Sequence, residues 1–196
     1  MSPSKPRGPY AKGAERREQI IQTATDVFAT EGFEGTALKR VAELVGVKEA
    51  TLFHYFSGKQ ELLTAVLAER DRRSREIGGP DEFGLTVLAS VAERNRREPG
   101  LTTLYAVASA TANDPGHASH GYFQDRYSQL VGELALDIGR RQDAGEVRSD
   151  AAAESLARLV IAAFDGLQLQ WLYDKNVDMA GGLTELVEVL LAPARS

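Results

Sequence analysis

The chain has 196 residues, 43% hydrophobic and 26% charged, with no cysteine and a net charge of −5; this is a folded globular composition, long enough for a sizeable helical body or a small module joined to a larger one. The missing thiols exclude a disulfide framework and a thiolate metal site and make a reducing cytoplasm the unstrained expectation. No apolar run follows Met1 and no stretch approaches the ~18 apolar residues of a membrane span, so neither a signal peptide nor a membrane partner is expected.

The net acidity argues against a non-specific polyanion binder. Residues 1 to 60, however, hold nine Lys and Arg against seven acids, whereas residues 77 to 196 hold ten against seventeen. A nucleic-acid surface therefore belongs near the N-terminus.

Residues 1–13 mix Pro, Gly, Ser and basic side chains without periodicity and read as a flexible basic arm, either a solvated tail or a segment reaching a DNA groove. A first helix is predicted from Ala14, with Ile20, Ala24, Val27 and Phe28 on one stripe and Gly32 as its stop. Thr36 is placed to cap a short second helix that carries Leu38, Val41, Ala42 and Val45 and ends at Gly46. A third begins after Val47, turns Leu52, Tyr55 and Phe56 inward and ends near Ser57. Ser57 and Gln60 then have the spacing of a capping box for a fourth helix. That helix runs through Leu62, Leu63, Val66 and Leu67 into residues 69–76, which read as a solvated, salt-bridged end, and is broken by Gly78, Gly79 and Pro80.

Apolar spacing predicts five further helices. The fifth carries Leu85, Leu88, Val91 and Ala92. The sixth starts at Pro99 and carries Leu101, Leu104, Tyr105 and Ala108. The seventh, after Pro115, carries Phe123, Tyr127, Leu130, Leu134 and Ile138 and ends at Gly145; each proline serves as a helix start. The eighth is capped by Ser149 and runs to about Tyr173. The ninth carries Leu183, Leu186, Val187, Leu190 and Leu191. The expected fold is all-α, with a helix-turn-helix domain over residues 14–60 and an effector-binding and dimerisation domain over residues 61–196.

Residues 38–57 have the pattern that a helix-turn-helix requires, the alternative being an ordinary helical hairpin. Ala42 is small where the two helices cross, and Gly46 supplies a positive φ at the corner. Val41, Val45, Val47, Leu52 and Tyr55 form the small core that fixes their angle.

Residues 16–63 resemble the DNA-binding domain of the tetracycline-repressor (TetR) family of bacterial regulators. The resemblance is carried by EGFEGT at 31–36, VAELVGV at 41–47 and TLFHYFSGKQELL at 51–63. DGLQLQWLYD at 165–174 is similar to that family's penultimate helix. The resemblance implies that the second helix of the motif enters the major groove of double-stranded DNA with Lys48, Glu49, Ala50 and Thr51 facing base edges. Thr51 would bond a base or touch a thymine methyl, and Glu49 would accept from a cytosine amino group. Lys39 would reach a base edge or phosphate, and His54 and Tyr55 would meet phosphates at the groove wall. Lys59 would join the free N–H groups of the fourth helix in holding a phosphate. Two positions depart from the family pattern. Lys48 replaces a capping Ser at a cost of about 1 kcal/mol, partly offset by Glu49, with a DNA contact as the expected compensation. Phe53 replaces a Tyr, losing a hydroxyl contact to phosphate.

The eighth helix is apolar on more than one side, which requires burial on more than one side. With the family resemblance, this implies a four-helix homodimer interface of Leu156, Val160, Ala163, Leu167 and Trp171 with Leu186 and Leu190. A twofold dimer sets its recognition helices ~34 to 36 Å apart and implies a palindromic operator. Leu85, Leu88, Leu104, Tyr105, Ala108, Phe123, Tyr127 and Phe164 are either plain core or the lining of a cavity for a largely apolar small-molecule effector. Asp165 is either a buried acceptor holding the dimer or a polar group of that cavity. No catalytic residue, cofactor or metal is expected: there is no Glu-x-x-His pair, cysteine nucleophile or phosphate-binding glycine loop, and His117 and His120 fall in a surface loop. A protein-binding helical adaptor is the remaining rival, and it leaves Lys39, Lys48 and Lys59 unexplained. On family grounds the expected activity is repression relieved by the effector.

Overall fold

The computed structural model describes residues 9–78 and 84–192. Nine α-helices and no strand occur among the described residues: α1 (Pro9–Glu31), α2 (Leu38–Val45), α3 (Glu49–Leu52), α4 (Lys59–Arg75), α5 (Leu85–Arg97), α6 (Pro99–Thr111), α7 (His120–Asp143), α8 (Ala153–Tyr173) and α9 (Met179–Leu190). The chain divides into two compact units between Glu69 and Arg70, inside α4 rather than at its start. The division lies there because Leu62, Leu63, Val66 and Leu67 are all buried in the first part of the helix.

In the first unit α1 begins at Pro9, ahead of the expected Ala14. Proline at a helix's first position costs nothing, since that N–H has no intrahelical partner. The remainder of the expected basic arm lies outside the described residues, as do Gly79 and Pro80. Ile20, Ala24, Val27 and Phe28 are buried as their spacing requires, and Gly32, at φ 79°, closes α1. Thr36 does not cap α2. Its buried hydroxyl donates to the Gly32 carbonyl at 2.6 Å, and the N-cap residue is Ala37, which makes no side-chain cap bond. Thr36 instead ties the α1–α2 turn together.

The third helix is shorter than its pattern suggested. After Leu52 the winding continues only as turns, with the Tyr55 and Phe56 amides both donating to the Leu52 carbonyl at 2.9 Å. The expected capping box is shifted by one residue. The Ser57 amide donates to the Glu61 carboxylate at 2.7 Å, so Glu61 takes the role assigned to Gln60. That bond and the Ser57 hydroxyl hold the Glu61 carboxyl below the usual glutamate range.

The second unit is built on α7 against α8, with α9 against α5 and α8. Leu134, Ile138, Ala157 and Val160 are fully buried at its centre. Helix α7 starts at His120, not at Pro115. Asp114, Pro115 and Gly116 instead make a turn in which the Gly116 amide donates to Asp114 Oδ1 at 2.8 Å. His117 Nδ1 accepts from the Ser119 amide at 3.1 Å, and His120 Nδ1 lies 2.8 Å from the Ala112 carbonyl. Both histidines are therefore turn-forming, and no cluster of metal ligands occurs among the described residues.

Ser149 does not cap α8, which starts at Ala153 after Ala152. The segment before it is held instead by Gln142, whose Nε2 donates to the carbonyls of Arg148 and Ala151 at 2.8 and 2.9 Å. Five residues earlier on α7, Asp137 caps α5: the Leu85 amide donates to Asp137 Oδ2 at 3.0 Å. No described helix is long and apolar enough to cross a membrane.

Candidate functional site

In the first unit, Val41, Ala42 and Val45 are buried on one side of α2. At the corner Gly46 adopts φ 76° and ψ 35°. Its amide donates to the Glu43 carbonyl at 3.2 Å, and the Val47 amide donates to the Ala42 carbonyl at 3.0 Å, which satisfies the last carbonyls of α2. The chain then enters α3 through extended Lys48, at φ −75° and ψ 145°, with no side-chain cap. Leu52 and Phe56 anchor α3 from below, and the Arg17 guanidinium of α1 lies 5.0 Å from the Phe56 ring centre.

With those anchors inside, Lys48, Glu49, Ala50 and His54 are exposed, and Thr51 and Tyr55 are half-buried. Phe53 is 54% exposed, too open for core packing alone. Lys39 is exposed on α2 and 4.0 Å from Glu43. Lys59 has a different setting from the other lysines. Its ammonium donates to the Glu34 carbonyl at 3.2 Å and lies 4.3 Å from the Phe33 ring centre, so it also braces the turn between α1 and α2.

In the second unit a cavity of about 40 Å³ is lined by Leu88, Leu130, Leu134, Ile161 and Phe164 on the apolar side. Arg70, Asp71, Ser74, Arg75, Arg126 and Asp165 supply the polar side. Of the expected lining, only Leu88 and Phe164 are on the wall. Leu85, Leu104, Tyr105, Ala108 and Phe123 are buried in the packing around it. Tyr127 lies behind, where its hydroxyl donates to Asp165 at 2.7 Å. The wall is mostly apolar with a charged cluster at one side, and Asp165 is among its polar groups.

Four of the six polar-side residues, Arg70, Asp71, Ser74 and Arg75, come from the stretch of α4 that its composition marked as solvated. Arg70 is 3% exposed, Asp71 8% and Ser74 7%. The missed signal is that Leu63, Leu67, Arg70 and Ser74 continue one stripe at helical spacing. Asp71 gathers this cluster: its Oδ2 accepts from the Tyr122 hydroxyl and from Arg126 Nε at 2.8 Å, and its Oδ1 is 3.5 Å from Arg70 Nη1. Arg70 also donates to Gln168 at 3.3 Å, and Asn95 donates to the same Gln168 oxygen at 2.8 Å. Burial lowers the Arg70 pKa and raises that of Asp165, the latter opposed by the Tyr127 hydroxyl.

Burial also re-sorts α8. Leu156, Val160 and Trp171, expected at a dimer interface, are at most 3% exposed and pack within the chain's own core. Ala163, Leu167 and Leu186 are half-buried, and the Leu190 side chain lies outside the described residues. The outward face carries Leu159, Ala162, Leu169 and Tyr173 instead, with Leu159 and Leu169 about half exposed and Tyr173 at 89%. With half-buried Gly166 between Ala162 and Leu169, these positions follow the alternating three-and-four spacing of a helix-packing seam.

A short helix, a left-handed glycine corner and a second helix whose opening residues stand clear of the core define a helix-turn-helix DNA-binding regulator. The sequence model of the family described as "Bacterial regulatory proteins, tetR family" matches residues 20–66. Over 178 residues, 90% of this chain and 93% of the relative, the sequence is 25% identical to the transcriptional repressor AcnR of Corynebacterium glutamicum. It is 30% identical over 130 residues, 66% of this chain and 57% of the relative, to the repressor KstR2 of Mycolicibacterium smegmatis. Residues 20–66 thus carry a DNA-binding domain of the TetR family of transcriptional regulators. The fold is shared with a TetR regulator from Haloarcula marismortui, at TM-score 0.77 and 19% identity over 89% of this chain and 96% of that one. It is shared equally with a regulator from Saccharomonospora viridis solved in complex with choline, at TM-score 0.74 and 22% identity over 91% of this chain and 98% of that one.

Proposed function

We propose that this regulator is a cytoplasmic repressor that binds a palindromic operator as a homodimer and releases it when a small molecule enters the second unit's cavity. The observation that carries the DNA-reading part is the corner at Gly46, which leaves Lys48, Glu49 and Ala50 exposed at the start of α3 while Leu52 is buried. In this reading those three residues and Thr51 meet base edges, and Lys39, His54 and Tyr55 meet phosphates. Lys59 contributes chiefly by holding the turn beneath them, and exposed Phe53 touches sugar or base rather than core.

Dimerisation is assigned to the outward stripe of α8, Leu159, Ala162, Leu169 and Tyr173, supported by α9. An apolar stripe of this kind on a water-facing helix is stable when a twofold copy covers it. The link between ligand and DNA is α4, a single helix that starts in the first unit and carries Arg70, Asp71, Ser74 and Arg75 to the cavity wall. A ligand that favours one setting of α4 shifts the population of DNA-competent dimers. The sense of the response is assigned as repression because AcnR and KstR2 are named repressors.

Fluorescence anisotropy with fragments from the gene's own upstream region tests the DNA part. The Lys39→Glu, Lys48→Glu double variant should lose specific binding, and undiminished affinity would refute the assigned surface. A reporter behind that region should rise on deletion of the gene. A fall would refute repression.

A further inference from the structure

We infer that the cavity takes a small amphipathic monoanion, a carboxylate with a short apolar tail, whose charged end is bound by Arg126. The inference rests on the reading of this cavity as the effector site. Three guanidiniums line it, those of Arg70, Arg75 and Arg126, with the carboxylates of Asp71 and Asp165; Arg75 is paired outside the cavity with Glu133 at 3.7 Å. Asp71 is already shared among Tyr122, Arg126 Nε and Arg70, and it does not reach Arg126 Nη1. Arg126 is nonetheless incompletely bonded. Its side chain is 11% exposed, and its Nη1 is buried without a hydrogen-bond partner among the described residues. A buried guanidinium donor without an acceptor is costly. A ligand carboxylate supplies that acceptor through a charge-assisted bond.

A cationic ligand fits poorly. The Tyr105 ring, which could hold a cation, is covered by the protein's own arginines: Arg70 lies 4.4 Å and Arg126 4.7 Å from its centre, and Arg126 lies 5.5 Å from that of Tyr127. A wholly apolar ligand would leave Arg126 unsatisfied. The facing wall of Leu88, Leu130, Ile161 and Phe164 suits a short hydrocarbon tail. The volume, about 40 Å³, admits on the order of three water molecules, which favours a compact ligand.

Calorimetric titration of the full-length protein tests this with three probe series: acetate to butanoate, the matching primary amides, and choline with tetramethylammonium. The acids should bind at least about tenfold more tightly than the amides, the ratio expected when a charge-assisted bond replaces a neutral one. The cations should not bind. Arg126→Gln should erase the preference for acid over amide. Because that variant disturbs a buried cluster, Ile161→Trp provides a second arm: it fills the cavity away from the charges and should abolish acid binding. Amides or cations that bind as well as acids, with the binding lost in Ile161→Trp, would overturn the anion assignment and leave the cavity as an effector site. No binding by any series, or acid binding indifferent to Ile161→Trp, would overturn both.

Discussion

Asp71→Ala is the sharpest perturbation of the second unit. The carboxylate lies among two guanidiniums and a phenol: Arg126 Nε at 2.8 Å, Arg70 Nη1 at 3.5 Å and the Tyr122 hydroxyl. The flanking charges are nearly inaccessible, with the Arg70 side chain 3% and that of Arg126 11% exposed. Removing one member of a buried charge group leaves the others uncompensated, which costs about 3 to 5 kcal/mol. The lower end applies here, because Arg70 keeps Gln168 at 3.3 Å and both arginines keep the Tyr105 ring face. About 3 kcal/mol corresponds to a melting point lower by roughly 10 °C in a unit of this size. The chain's single tryptophan, Trp171, is buried in the same unit, so urea unfolding followed by its fluorescence reports that unit directly. Asp71→Asn keeps the shape and an acceptor for Tyr122 and should fall between wild type and Asp71→Ala. A loss under about 1 kcal/mol for Asp71→Ala, the scale of an exposed ion pair, would refute the buried cluster.

Gly46→Ala should cost about 1 kcal/mol in the first unit, measured by thermal melting. An added Cβ meets nothing within 4 Å, so the penalty is the left-handed backbone itself. Glu61→Gln should lower stability at neutral pH by less than about 1 kcal/mol, given its exposure. The folded carboxyl has a depressed pKa, so its contribution is complete above the unfolded value of about 4.3 and is lost as pH falls through the folded value. Melts of the variant and wild type should therefore converge at the acid end, and a gap that widens there would contradict the Ser57 contact. Leu159→Glu with Leu169→Glu should yield monomers in sedimentation while leaving the buried core intact, because both side chains point away from it. A persistent dimer would move the interface elsewhere.

The helix order and the corner at Gly46 were legible because apolar spacing and a positive-φ glycine are local signals. Several end assignments failed for the same reason, since other groups competed for the capping residue. Thr36 found the Gly32 carbonyl, Glu61 reached Ser57 ahead of Gln60, and the Asp114–Gly116 turn held Pro115 outside α7. The polar side of the cavity was hidden by composition. Arg70 and Asp71 look solvated in sequence, and the partners that bury Asp71, Tyr122 and Arg126, are 51 and 55 residues away. On α8 the apolar residues surround the helix, so periodicity could not separate the inward Leu156 and Val160 from the outward Leu159 and Leu169. Only packing against α7 and α9 separates them.

The central claim is that two copies of this chain read DNA through the residues that open α3. Hydroxyl-radical footprinting of the purified protein on an operator selected from random duplexes tests it most directly. Two symmetric protections are expected about one helical turn apart, ~34 to 36 Å, flanking an inverted repeat. Base preference in each half-site should change with Thr51→Ala and disappear with Lys48→Glu. A single unsymmetric footprint, or a selected sequence indifferent to both substitutions, would contradict it.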